Sequence, residues 1–243
     1  ALFSRMSNSR MLGVGIGTVA TAAIQSSGAT TVMVIGFVNV GIMSLAQAAT
    51  IIYGANIGTT VTAQIVALGL SSGGGFSTTT IFAAMAGWGA FIELFSKKDI
   101  WKTWGGIITG FGMLFVGLSL MSKSMDALAQ LQEVKLMLAT IQHPLMLVLV
   151  GAILTAIIQS SSVVTSIALT MAVTGLISLN QGIYLTMGSN IGSCVVAIIA
   201  GMTSGLNAKR TALIHLLFNC FGVCIFLIAA WIMHLVTSGA LNY

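Results

Sequence analysis

Charge is what this sequence most lacks. Only 5% of its 243 residues are Asp, Glu, Lys or Arg, where a soluble domain carries about a quarter. No charged side chain occurs from Met11 to Ile92, and none from Pro144 to Ala208. Runs of that length cannot form a wetted surface, and each is long enough for several membrane crossings at ~20 residues apiece. Proline is nearly missing, with Pro144 the single one. The three cysteines, Cys194, Cys220 and Cys224, lie in apolar stretches, and an odd count there gives no sign of a disulfide framework. The inventories of enzymes are missing as well: no Ser–His–Asp set, no dense His/Cys cluster, no phosphate-cradling loop. The chain therefore reads as a non-enzyme without a cofactor. Ten-residue alternating segments, the mark of an outer-membrane barrel, do not occur either. What remains is 57% hydrophobic with a mean hydropathy of +1.05, an all-α integral membrane protein.

The net charge of +5 does not indicate nucleic acid. Seven of the nine basic residues fall in three short clusters: Arg5 and Arg10, then Lys97, Lys98 and Lys102, then Lys209 and Arg210. Clusters of this kind set membrane topology. No cleavable signal peptide is apparent, and the chain starts at Ala1 without a Met, which reads as a fragment or a trimmed chain.

Two stretches repeat each other. Thr21-Ala22-Ala23-Ile24-Gln25-Ser26-Ser27 returns as Thr155-Ala156-Ile157-Ile158-Gln159-Ser160-Ser161, and Gly54-Ala55-Asn56-Ile57-Gly58-Thr59 returns as Gly188-Ser189-Asn190-Ile191-Gly192-Ser193. Both pairs, and the spacers between them, keep the 134-residue offset that separates Gln25 from Gln159. Constant register over that length implies a chain built of two similar halves, as secondary transporters are.

The first half is expected over 1–95: a hairpin at 11–40, a broken span at 44–70 and a span at 78–95. The second covers 96–243: a span at 105–121, an interfacial helix at 122–143, a hairpin at 144–174, a broken span at 178–205 and a last span at 211–236. The hairpin arms hold about a dozen residues each, too few for ~30 Å of hydrocarbon at 1.5 Å per residue, so both hairpins read as re-entrant. The glycines at Gly54–Gly58 and Gly188–Gly192 are expected to permit unwound backbone inside the two broken spans. About five full spans result. Three crossings lie between the hairpins, so the halves enter from opposite faces as an inverted repeat. On that count the basic clusters share one face, expected to be cytoplasmic, which makes a multi-pass protein of the plasma (inner) membrane.

The hairpin tips carry the chemistry. Gln25, Ser26, Ser27, Gln159, Ser160, Ser161 and Ser162 offer amide and hydroxyl groups that donate and accept, beside helix N-termini that attract anions. No Lys or Arg stands near them, so a buried anion needs a mobile counter-cation. Thr30, Thr31, Asn56, Thr165 and Asn190 supply hard oxygens for Na⁺. No carboxylate is there to carry a proton, which favours Na⁺ over H⁺ as the coupling ion. Plain packing is the competing reading of Ser, Thr and Gly in membrane helices, but it does not account for two Gln-Ser-Ser tips in matched positions. His215 and Asn219, at i and i+4 on one face of the last span, read as making an interhelical hydrogen bond, with contact to the substrate path as the alternative.

At these residues the sequence resembles the type II sodium–phosphate cotransporter family in a bacterial form. The second motif is complete as Gln159-Ser160-Ser161-Ser162, and the first ends in glycine as Gln25-Ser26-Ser27-Gly28. Gly54–Thr60, Gly112–Leu118 and His215–Asn219 are similar to the family too, while a helix expected before the first hairpin, the partner of Gly105–Met121, has no counterpart in this chain. The resemblance implies Na⁺-driven symport of inorganic phosphate by alternating access, with phosphate held between the two tips. Phosphate, Na⁺ and lipid are the implied partners, and a homo-oligomer is compatible with them. A symporter for another oxyanion, a passive anion channel or a membrane scaffold without transport are the alternatives.

Overall fold

The computed structural model describes residues 9–71, 78–129, 131, 133 and 140–237. Ten α-helices and no strand occur among them: α1 (Arg10–Ile24), α2 (Ser27–Asn39), α3 (Leu45–Ser71), α4 (Thr78–Phe95), α5 (Asp99–Ala129), α6 (Pro144–Ile158), α7 (Ser161–Val173), α8 (Leu179–Gly192), α9 (Cys194–Met202) and α10 (Leu206–Thr237). Among the described residues four segments are long and apolar enough to cross a membrane: Leu45–Leu68, Asp99–Met121, Leu179–Met202 and Leu206–Met233. The apolar segments Arg10–Ile24, Ser27–Asn39, Thr80–Phe95, Pro144–Ile158 and Ser161–Val173 are shorter. Large apolar side chains face outward along these helices, Phe221 and Trp231 of α10 among them. The structure is that of an all-helical, multi-pass membrane protein, in which backbone polar groups are satisfied within each helix.

The chain forms two compact units. The first takes in residues up to Ala63, Ile141–Ala168 and the chain from Asn180 onward. Its core has two parts. Val34, Val38, Met43, Ala48, Ile51 and Ile52 pack with Ile16 and Phe37 across α1, α2 and α3. Ile35, Ala197, Ala208 and Ala212 join α2 to α9 and α10. The second unit, Gln64–Thr140 with Leu169–Leu179, is organised by the α4–α5 pair. Gly89, Gly105 and Gly112 let the two backbones approach until a Cβ on any of them would strike the facing helix. Phe82 stacks on Phe115 with centroids 4.1 Å apart, against buried Val66. Asp99 in the first turn of α5 complements the positive end of that helix.

Two sequence expectations meet a different outcome. The first repeat block does not unwind: α3 is helical straight through Gly54–Gly58. A Cβ at Gly54 would be driven into the carbonyl of Val14, and one at Gly58 into Thr18 and Thr21 of α1. These glycines serve close helix packing rather than an open backbone. The matching glycines of the second half, Gly188 and Gly192, meet Val148 and the Ala152–Thr155 segment in the same way, and Ser193, between α8 and α9, keeps right-handed helical backbone and donates its N–H to the Ser189 carbonyl at 3.0 Å. The second outcome concerns α5, which passes Met121 and continues to Ala129. The charges expected to mark a separate interfacial helix therefore begin on the spanning helix itself. Most of the rest of 122–143 lies outside the described residues.

Candidate functional site

The two copies of the repeat share the backbone geometry of their turns. Helix α1 stops at Gln25 and α6 stops at Gln159, both with left-handed backbone, φ 59° and φ 60°. In each, the glutamine N–H donates to a threonine carbonyl one turn back, Thr21 or Thr155, at 2.7 Å. These two are the only non-glycine residues of positive φ among the described residues. A left-handed residue with a Cβ costs about 1–2 kcal/mol, and glycine is the usual occupant of such a helix end. A glutamine kept there twice is strain at a place where the side chain matters.

The next residue starts the second arm. Ser26 caps α2, its Oγ accepting from the Ala29 N–H at 3.1 Å. Ser160 does the same for α7, accepting from Val163 at 3.4 Å. Ser27 and Ser161 follow as buried first residues of those helices. The far ends match too. Gly41 and Gly175 take φ of 76° and 72°, and the residues after them return to the carbonyls of Phe37 and Met171.

Within this frame the halves differ. Gln25 donates to the Ala22 carbonyl and accepts from the Thr62 hydroxyl of α3. The counterpart of Thr62 is Val196, so Gln159 has no such tether from α9. Thr21 donates to Thr30 at 3.0 Å, and Thr30 donates to the Ser26 carbonyl at 3.1 Å. The counterpart of Thr30 is Val164, and Thr155 is left buried with an unpartnered hydroxyl. Thr165 meets Ser189 at 3.3 Å. The counterpart of Ser189 is Ala55, and Thr31 is left buried and unpartnered in turn. An orphaned buried hydroxyl costs about 1–3 kcal/mol. Val164→Thr is accordingly expected to restore the missing contact and raise stability by about 1 kcal/mol, read as a higher melting temperature of the purified protein. No change would mean that Thr155 has another partner in solution.

The sequence candidates thus fall into groups. Gln25, Ser26, Ser27 and Thr30 gather at the first tip, and Gln159, Ser160, Ser161 and Ser162 at the second. Among the described residues no hydrogen bond joins one tip to the other. Helix α9 packs on both α2 and α6, and Val196 of α9 lies 3.8 Å from where a Cβ on Gly28 would sit. Asn56 donates to the Ile52 carbonyl of its own helix at 2.9 Å, while Asn190 is an exposed residue of α8. Sequence reasoning passed over Thr21 and Thr155, although both stand in the repeated block, because threonines inside an apolar arm read as packing. It also passed over Thr62. Of the pair His215 and Asn219, Asn219 makes the expected interhelical hydrogen bond and the His215 ring makes none. Asn219 donates to Cys194 Sγ at 3.4 Å and to the His215 carbonyl at 3.0 Å, but both ring nitrogens of His215 are buried without a partner.

The tips therefore present backbone N–H groups, serine hydroxyls and a strained amide, all uncharged donors suited to an oxyanion. The unpartnered threonine oxygens are acceptors suited to a hard cation. Among the described residues no cluster of His, Cys, Asp or Glu could hold a metal ion.

Comparison with known proteins agrees in detail with the internal repeat. The family model described as Na+/Pi-cotransporter matches twice, over residues 1–123 and again over 116–240. YqeW of Bacillus subtilis (strain 168) is 33% identical over 213 residues, covering 87% of this chain and 66% of YqeW. YjbB of Escherichia coli (strain K12), named for inorganic phosphate export, is 30% identical over 227 residues, covering 93% of this chain and 40% of its own. The human sodium-dependent phosphate transport protein 2B is 44% identical over 80 residues, 31% of this chain and 12% of its own. The chain thus spans less than two thirds of the full-length relatives. No solved structure matches it. With both halves matched by one family model, and both carrying the same capped glutamine turn, the chain belongs to the Na+/Pi-cotransporter family.

Proposed function

We propose that this protein moves inorganic phosphate across the plasma membrane in step with Na⁺, by alternating access between its two inverted halves. The observation that carries this reading is the pair of left-handed glutamines, each followed by a serine-capped helix, at matched positions of a unit whose spans are nearly free of charge. Phosphate takes the N–H groups and hydroxyls of Gln25, Ser26, Ser27, Gln159, Ser160, Ser161 and Ser162. Na⁺ takes the oxygens of Thr30, Thr31, Asn56, Thr165 and Asn190, and supplies the charge that helix ends, at about half a unit each, leave uncompensated. The name of the human relative supports Na⁺ dependence, and the name of YjbB supports phosphate as cargo with outward flux.

The test is labelled phosphate flux in proteoliposomes under a Na⁺ gradient, against equal gradients of K⁺ or choline. Both directions are measured, from loaded and from empty vesicles. Phosphate moving beyond equilibrium with Na⁺ alone is the expected result. Equal flux in all three salts would overturn coupling and favour a passive anion pathway. Competition by sulfate and arsenate reads the anion selectivity.

A further inference from the structure

Helix α3 carries four threonines, Thr50, Thr59, Thr60 and Thr62, and three of them return their hydroxyl protons to their own helix, as helical threonines commonly do. Thr50 donates to the Gln47 carbonyl, Thr59 to the Ala55 carbonyl and Thr60 to the Ile57 carbonyl. Thr62 does not turn back. Its hydroxyl donates to Oε1 of Gln25, the left-handed residue that ends α1. The same amide is held through its nitrogen as well, where Nε2 donates to the Ala22 carbonyl.

These two contacts fix which way the amide faces. A carbonyl only accepts and a hydroxyl donates, so the nitrogen lies toward Ala22 and the oxygen toward Thr62. Turning the amide over would set two acceptors, Oε1 and the Ala22 carbonyl, against each other. Of the two amide hydrogens one is committed to Ala22 and the other is left for a ligand. Gln25 is exposed and Thr62 is half-buried. The side chain that is held is open to a ligand, and the one that holds it is partly covered. The second tip has no such arrangement. The counterpart of Thr62 is Val196, which has no hydroxyl, and among the described residues the equally exposed Gln159 amide makes neither contact. Gln159 is free to present its oxygen or its nitrogen, whereas Gln25 is set to present an N–H.

We propose that Thr62 is a positioning residue for phosphate: it locks the Gln25 amide in the orientation that offers a free N–H to a phosphate oxygen. Thr62 itself does not touch the anion. A donor held in place before the ligand arrives does not have to be ordered when it binds, and the saving appears as affinity. The two tips then differ in kind, the first a fixed donor and the second an adaptable one. This deepens the phosphate reading above and rests on it.

Phosphate binding tests the lock without transport. The full chain, labelled with ¹⁵N-glutamine, is titrated with inorganic phosphate in NaCl, and the side-chain NH₂ signals of Gln25 are identified by their absence in Gln25→Ala. One of the two Gln25 hydrogens is expected to shift as phosphate is added. Thr62→Val, which gives the first half the residue of the second, is expected to raise the Kd about 2- to 12-fold, the worth of one neutral hydrogen bond. Thr62→Ser is expected to restore it. In a Gln25→Ala background, read from the Gln159 signals, Thr62→Val is expected to change nothing further, whereas a merely structural role would persist there. Equal Kd in wild type and Thr62→Val, a Gln25 amide that phosphate leaves unmoved, or an undiminished effect without Gln25 would each overturn the proposal. Na⁺-driven phosphate flux separates the lock from the transport reading. In Thr62→Val the half-saturating phosphate concentration is expected to rise by the same factor at an unchanged maximal rate. Na⁺-driven flux with the same half-saturating concentration in both proteins would overturn the positioning role and leave the transport reading standing. The binding effect with no Na⁺-dependent flux in either protein would sustain the positioning role and count against the transport reading.

Discussion

Gln159→Gly is expected to make the protein more stable and at the same time unable to bind phosphate well. The two effects come from different parts of one residue. Its backbone sits at φ 60°, where removal of the Cβ relieves about 1–2 kcal/mol. Its amide stands at the second tip without the tether that Thr62 provides for Gln25, so deleting it breaks no internal contact of that kind. A hydrogen bond to a charged ligand is worth about 1.5–3 kcal/mol, which corresponds to about 10- to 150-fold in apparent phosphate affinity. Melting temperature and the concentration dependence of phosphate flux are the two readouts. Gln159→Ala serves as the partner variant, with the same loss of affinity but the strained backbone retained. Unchanged flux in both variants would remove the amide from the site. A lower melting temperature for the glycine variant would show that the turn depends on the side chain and is not merely strained by it.

Gly188→Leu is expected to abolish the fold of the first unit. The new Cβ would enter the carbonyl of Val148 and press on the Ala152 nitrogen. Both are backbone atoms, which cannot rotate away. Overpacking costs about 1–3 kcal/mol when side chains can adjust, and here the helices themselves must separate. Even 3 kcal/mol lowers the melting temperature by about 6–12 °C in a protein of this size. Loss of the monodisperse species in detergent, or a fall of that order, is the expected measurement. Gly222→Ala is the control. Nothing lies within 4 Å of a Cβ there, and the change should stay within about 0.5 kcal/mol. Equal tolerance of both substitutions would mean that α6 and α8 are not in contact in the membrane.

Some of the structure was legible in the sequence and some was not. The turns at Gln25-Ser26 and Gln159-Ser160 could be read directly, because polar pairs interrupt apolar runs and the next residues cap a helix. The role of Gly54 could not. Glycine serves an unwound backbone and a tight helix crossing equally well, and only its partner decides which. That partner is Val14, forty positions earlier. The end of α5 was hidden for a related reason, since Lys123 and Asp126 report exposure and say nothing about where hydrogen bonding stops. The hydroxyl pairs lie beyond reading for want of a local signal. Thr165 finds Ser189 on another helix, and the failure of Thr31 to find a partner follows from Ala55, a residue that carries no polar atom to notice. The interhelical bond expected on the His215/Asn219 face is made by Asn219 to Cys194, and the sequence holds no signal that the His215 ring would be left out.

The unequal pairing of hydroxyls has a consequence for the exchange of the halves. A protein made of two first halves would contain the Thr21–Thr30 contact twice and the Thr165–Ser189 contact not at all; one made of two second halves would have the opposite set. Each half holds one hydroxyl pair that the other lacks. The two halves are therefore not interchangeable: doubling either one would change which hydroxyl pairs the first unit contains.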